Sequence, residues 1–156
     1  MTTIKVPLYG FLNSRLKRLF NVAKVAKEQR LRFSSLDEVG NGLIAIDTIK
    51  RKLVYLNNAP NDASCIIVDL NSLLNCTIKK QYNGINAGDL HKRKISDFLR
   101  SIFLHLSFKN NTAAITLPLY EAQNDKQDDV EQLEATAKKW ETIVSKLLPV
   151  QLLERA

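Results

Sequence analysis

The sequence predicts an α+β fold in which an antiparallel β-sheet or partial barrel carries a C-terminal capping α-helix and an additional basic N-terminal helix. Short β-rich runs separated by turn residues fill the middle of the chain, and apolar residues recur at intervals of three and four near both ends. The length of 156 residues, with 45% hydrophobic and 25% charged residues, fits one ordinary domain. We divide it into a basic helix (1–32), a β domain with its C-terminal helix (33–149) and a tail (150–156).

The N-terminal segment has the apolar spacing of an amphipathic helix between residues 11 and 31. Asn13 or Ser14 can cap its start, and Pro7 with Gly10 oppose a longer helix. The residues expected on its buried side are Leu12, Leu16, Leu19, Phe20, Ala23 and Ala26.

The formal net charge of +7 is concentrated in the same segment. Residues 1–32 hold eight basic residues and one acid, Glu28, while the remainder of the chain is neutral. We therefore expect a negatively charged partner to bind at this helix.

Four strands are expected after the helix. Residues 43–47 and 53–56 predict a hairpin whose connection carries Lys50, Arg51 and Lys52, and residues 65–68 and 76–82 predict two more strands. The turn-forming residues of the intervening segment, 57–64, predict a surface loop.

The segment 95–106 fits a helix and a strand equally well by periodicity. It follows a polar, glycine-bearing loop, 83–94, and precedes the tight-turn pair Asn110–Asn111. A hairpin of residues 101–109 and 112–120 satisfies both backbones, so we predict strands. Pro118 then belongs on an edge strand or at a bulge.

The C-terminal helix is predicted by apolar residues at intervals of three and four up to Pro149, with an acidic start and a basic end. The residues of this stripe are Val130, Leu133, Ala137, Trp140, Val144 and Leu147.

Taken together, residues 42–148 resemble the pleckstrin-homology-like fold, in which a bent sheet or partial barrel is closed at one end by a helix. The resemblance is carried by Gly40-Asn41-Gly42-Leu43-Ile44-Ala45-Ile46-Asp47, Lys52-Leu53-Val54-Tyr55, Ile102-Phe103-Leu104-His105-Leu106, Ile115-Thr116-Leu117-Pro118-Leu119 and Ala137-Lys138-Lys139-Trp140. The first two look like the opening hairpin of bacterial proteins of this type. The resemblance implies a non-catalytic module that binds phosphoinositides, peptides or partner domains.

The candidate partner is an anionic membrane surface or an acidic protein, contacted through the basic helix and the basic hairpin. The candidate binding residues are Arg15, Lys17, Arg18, Lys24, Lys27, Lys50, Arg51 and Lys52. A nucleic acid is the alternative partner, and the cations of the helix would contact it together with Phe11, Phe20 and Asn21. A further alternative is that the basic face is only solvated and the helix packs on the sheet.

No catalytic site, metal or cofactor is predicted. The five glycines form no phosphate-binding loop, and the two histidines, His91 and His105, lack metal-ligand spacing. Cys65 and Cys76 lie in apolar runs, which indicates reduced core thiols. Without a secretory signal or an apolar span, the expected location is the cytoplasm, with the periphery of a membrane included.

Overall fold

Two antiparallel sheets, two α-helices and three short 3-10 helices make up the described part of the chain. The computed structural model describes residues 2–5, 14–40, 42–59, 62–122 and 130–149. The elements in chain order are β1 (Thr2–Lys5), α1 (Ser14–Gln29), β2 (Ser35–Val39), β3 (Gly42–Asp47), β4 (Lys52–Ala59), β5 (Asp62–Asp69), β6 (Leu73–Tyr82), β7 (Leu99–Phe108), β8 (Ile115–Glu121) and α2 (Val130–Lys146). The α+β class is confirmed, and within these residues the strands form two separate sheets rather than a closed barrel.

The larger sheet, sheet A, has the strand order β1-β5-β4-β3-β2 with antiparallel neighbours. The strands predicted at 43–47, 53–56 and 65–68 lie within β3, β4 and β5 and are confirmed. The hairpin of β3 and β4 is not the opening hairpin of the sheet, because β2 precedes it in the chain and pairs with β3. The sequence did not predict β2 because that strand lies at the sheet edge, where Asp37 and Glu38 replace an apolar run.

The loop predicted at 57–64 is wrong. β4 continues to Ala59 and β5 begins at Asp62, and these two residues are paired across the hairpin. Backbone hydrogen bonds extend the ladder beyond the apolar residues, so the turn-forming side chains in this segment do not end the strands.

The smaller sheet, sheet B, has the order β6-β7-β8. β7 and β8 form the hairpin predicted from the residues around Asn110 and Asn111, both of which have positive φ angles. Pro118 lies on the edge strand β8, beside a register shift that leaves Leu119 of the same strand unpaired, so its placement is also confirmed.

Both faces of sheet A are covered. Ile44 and Ile46 of β3 face sheet B and α2 in the main core, whereas Leu43 and Ala45 face α1 in a second cluster. All six residues of β3 are buried as a result. Gly42 is required here, because a Cβ atom at this position would lie 2.7 Å from the carbonyl oxygen of Leu56.

The helix α2 caps the main core as predicted, with Ala137, Trp140 and Val144 fully buried. The indole nitrogen of Trp140 donates a hydrogen bond to Asp37 of β2 at 2.7 Å. On the other side, Glu141 accepts one from the backbone N–H of Ile78 in β6 at 2.8 Å. The pair of bonds fixes α2 between an edge strand of each sheet.

The helix α1 packs on the outer face of sheet A with a different side from the one predicted. Val22 and Val25 are buried, whereas Leu16, Leu19 and Phe20 are at least 37% exposed. Apolar residues lie on more than one side of this helix, so their spacing alone does not show which side is buried. The predicted cap Asn13 and the predicted stripe residue Leu12 lie outside the described residues.

Candidate anion-binding cleft

Asp47 organises the turn between β3 and β4. Its side chain is 2% exposed and accepts hydrogen bonds from the backbone N–H groups of Ile49 (3.0 Å), Lys50 (2.9 Å) and Arg32 (2.9 Å). Burial raises the pKa of this carboxyl, but these three donors and the nearby Lys50 charge outweigh it, so the pKa lies below its ordinary 3.8. One buried carboxylate therefore shapes the turn and ties the segment after α1 to it.

The C-terminus of α1 lies against this turn. The helix ends in a Schellman motif, with Arg30 in the left-handed region and the N–H of Leu31 bonded to the carbonyl oxygen of Ala26 at 2.8 Å. The ammonium group of Lys50 donates to the carbonyl oxygen of Arg30. The cation thereby occupies the negative end of the helix dipole.

A shallow cleft of about 540 Å³ lies between the helix end and the turn, and we call it the basic cleft. Its lining includes the cations Lys27, Arg30, Arg32 and Lys50, together with Asp47 and Ile49. Within the described residues, the four cations make no salt bridge. The described lining therefore sets four cations against one carboxylate, that of the buried Asp47, and the cleft presents an excess of positive charge to solvent.

The structure brings together only two of the eight predicted binding residues, Lys27 and Lys50. Arg30 and Arg32 complete the cluster and were missed, because both were counted only toward the charge of the N-terminal segment. The role of Asp47 could have been predicted, because an aspartate at the start of a turn commonly accepts hydrogen bonds from the backbone N–H groups that follow it.

The other two cations of the hairpin connection make structural contacts. Arg51 donates from Nη1 to the carbonyl oxygen of Leu147, near the C-terminal end of α2, at 2.6 Å. Lys52 forms a salt bridge with Asp69 at 3.6 Å. The connection therefore holds the C-terminal ends of both helices, through Lys50 and Arg51.

The remaining predicted residues lie along α1. Arg15 is in its first turn, roughly 18 Å from Lys27 at 1.5 Å per residue. Arg18 donates to the carbonyl oxygen of Gly40 at 3.0 Å, and Lys17 and Lys24 are half-buried. Asn21, a predicted nucleic-acid contact, is only 1% exposed and is therefore not accessible to such a partner.

A second basic segment, His91–Lys94, lies in the connection between β6 and β7. Arg93 is placed over the ring of Phe98, 4.7 Å from its centroid, and 4.0 Å from Asp97. Lys92 and Lys94 are exposed. This segment therefore offers fewer unpaired cations than the basic cleft.

The thiols are poorly suited to nucleophilic chemistry. Burial raises the pKa of Cys65 to about 12, and burial with the charge of Glu141 raises that of Cys76 to about 12. Both are free cysteines. Among the described residues, no group of three His, Cys, Asp or Glu side chains is placed to hold a metal ion.

Neither described α-helix has the length and apolar content that a bilayer-spanning helix requires.

Comparisons of the chain with protein-family models, with curated proteins and with solved structures found no match.

Proposed function

We propose that this protein is a non-catalytic recognition module that docks on an anionic membrane surface through the basic cleft. The observation that carries the proposal is the cluster of Lys27, Arg30, Arg32 and Lys50, whose only acid among the described lining residues is the buried Asp47. Each cation near an anionic leaflet contributes about 1 kcal/mol of attraction, so four of them provide a substantial electrostatic term.

The order of the elements supports a pleckstrin-homology-like module. Four consecutive antiparallel strands, β2 to β5, are followed by three, β6 to β8, and then by α2, which packs on both sheets. α1 and β1 are additions to that plan, and the C-terminal end of α1 supplies part of the proposed contact surface.

The lining of the cleft favours a membrane over a nucleic acid. Among the described residues, it contains no aromatic side chain on which a base could stack. The apolar residue beside the cations, Ile49, is 88% exposed and would meet charged phosphates in a nucleic-acid complex. An anionic bilayer interface accommodates both kinds of side chain.

Co-sedimentation of the full chain with vesicles tests the proposal. We expect binding to vesicles of phosphatidylglycerol with phosphatidylcholine, loss of binding to phosphatidylcholine alone, and weakening with added salt. The Lys27→Gln/Arg32→Gln variant should bind about thirtyfold more weakly, since it loses two cations worth about 1 kcal/mol each.

The matched control is Lys92→Gln/Lys94→Gln, which removes the same charge from the second basic segment and should change binding less than threefold. The variant Lys17→Gln/Lys24→Gln removes predicted site residues from the side of α1 and should weaken binding by less than the cleft variant. Equal losses in all three variants would show that net charge, rather than the cleft, determines binding. Salt-sensitive binding to DNA without vesicle binding, or binding to neither, would overturn the proposal.

A further inference from the structure

Ile49 is the most exposed large hydrophobic side chain in the described part of the chain. It is 88% exposed, against 56% for the next, Leu90. It lies at the tip of the β3–β4 turn, a position where polar residues are usual. Scattered apolar residues on a surface need no explanation, but this one stands among the four cations of the basic cleft.

The turn holds Ile49 in one position. Its backbone N–H is bonded to the buried carboxylate of Asp47, and the next residue, Lys50, is bonded both to that carboxylate and to the end of α1. The strands on either side are paired up to Asp47 and Lys52. Little conformational freedom of this backbone is left to be lost on binding, which favours contact with a partner.

We infer that Ile49 inserts into the apolar edge of the bilayer when the basic cleft meets an anionic leaflet, an inference that rests on the proposed function. The flanking cations would then lie at the level of the phosphates, as in other surfaces that combine an apolar side chain with basic ones. Partial removal of an isoleucine side chain from water strengthens binding about tenfold. This apolar contribution is insensitive to salt, unlike that of the cations.

The Ile49→Cys variant, labelled with an environment-sensitive fluorophore such as NBD, tests insertion directly. Cys65 and Cys76 are buried with raised pKa values, so labelling in the native state is selective for the introduced thiol. We expect a blue-shifted, brighter emission on phosphatidylglycerol-containing vesicles and protection from an aqueous quencher. The same label on a Thr112→Cys variant, in the exposed connection between β7 and β8, should show neither change.

An unlabelled series provides the second measurement. Ile49→Ser should weaken vesicle binding about tenfold at low and at high salt, Ile49→Leu should preserve it, and Leu74→Ser, an exposed apolar control in β6, should leave it unchanged. Because Ile49 is exposed, these variants keep the fold, which a circular dichroism spectrum checks.

The outcomes separate this inference from the proposed function. Salt-sensitive sedimentation with an unshifted label and an unaffected Ile49→Ser variant would overturn insertion and leave electrostatic docking in place. Failure of the wild-type chain to sediment with anionic vesicles would overturn both.

Discussion

Replacement of Trp140 by alanine should destabilise the protein more than most single substitutions, because this side chain joins α2 to both sheets. Trp140 is 0% exposed and lies in the main core with Ala137 and Val144. An aromatic side chain of this kind removes about 150–250 Å² from water, which corresponds to about 4–6 kcal/mol at 25 cal/mol per Å². Measured costs of such truncations are about 3–5 kcal/mol, and we expect that range here.

The hydrogen bond of the indole can be separated from the packing. Trp140→Phe keeps most of the apolar contact but loses the 2.7 Å bond to Asp37, a bond to a charged group worth about 1.5–3 kcal/mol. Asp37 retains the ammonium group of Lys139 at 2.7 Å, which limits the cost of the lost donor. A double-mutant cycle with Asp37→Ala, which removes the acceptor, should therefore show a coupling energy of about 1 kcal/mol.

Urea unfolding followed by far-ultraviolet circular dichroism is the suitable assay, since Trp140 is the only tryptophan of the chain and its fluorescence is lost in the variants. The melting temperature of Trp140→Ala should fall by about 10 °C, at 2–4 °C per kcal/mol for a domain of this size. Ile49→Ala, at an exposed position, is the control and should change stability by less than about 0.5 kcal/mol.

A Trp140→Ala variant within about 1 kcal/mol of the wild type, with an unchanged urea dependence, would refute the reasoning. Such a result would mean that the sheets hold together without the contribution of α2.

Three further predictions concern the turn and the thiols. Asp47→Asn should lower the free energy of unfolding by about 2 kcal/mol at neutral pH. Because the folded pKa of Asp47 is lowered, its stabilisation is complete above the ordinary 3.8 and is lost as pH falls through the lower folded value. The urea midpoints of the wild type and the variant should therefore converge in acid, and parallel pH profiles would contradict the assignment. Arg51→Gln should cost about 1 kcal/mol through loss of its bond to the Leu147 carbonyl, measured by thermal unfolding. Cys65 and Cys76 should react with a disulfide reagent at the rate of opening of the fold and rapidly in urea; fast labelling of the native protein would show that the core is accessible.

Much of the fold was predictable because its core elements repeat their apolar residues at the period of their secondary structure. The stripe that ends at Leu147 identified α2, and the pair Asn110–Asn111 decided that an ambiguous segment is a strand of the β7–β8 hairpin. β2 was not predictable in the same way, since an edge strand buries few of its side chains and so lacks an apolar run.

The candidate site was predicted only in part. Charge counting identified the basic end of the chain, and Lys27 and Lys50 lie in the basic cleft. Counting could not show that Arg51 holds the end of α2 or that Arg30 and Arg32 complete the cleft, because these contacts join segments far apart in the sequence.

The sequence by itself determined the α+β class, the hairpins centred on buried apolar strands, the C-terminal helix and the excess of positive charge near the N-terminus, since all of these are set by local periodicity, turn chemistry and composition. Tertiary structure alone decided which side of α1 is buried, which cations remain unpaired and where Ile49 is exposed. Those properties depend on how sheet A, the helix ends and the Asp47 turn meet in space, and neighbours along the chain do not determine that arrangement.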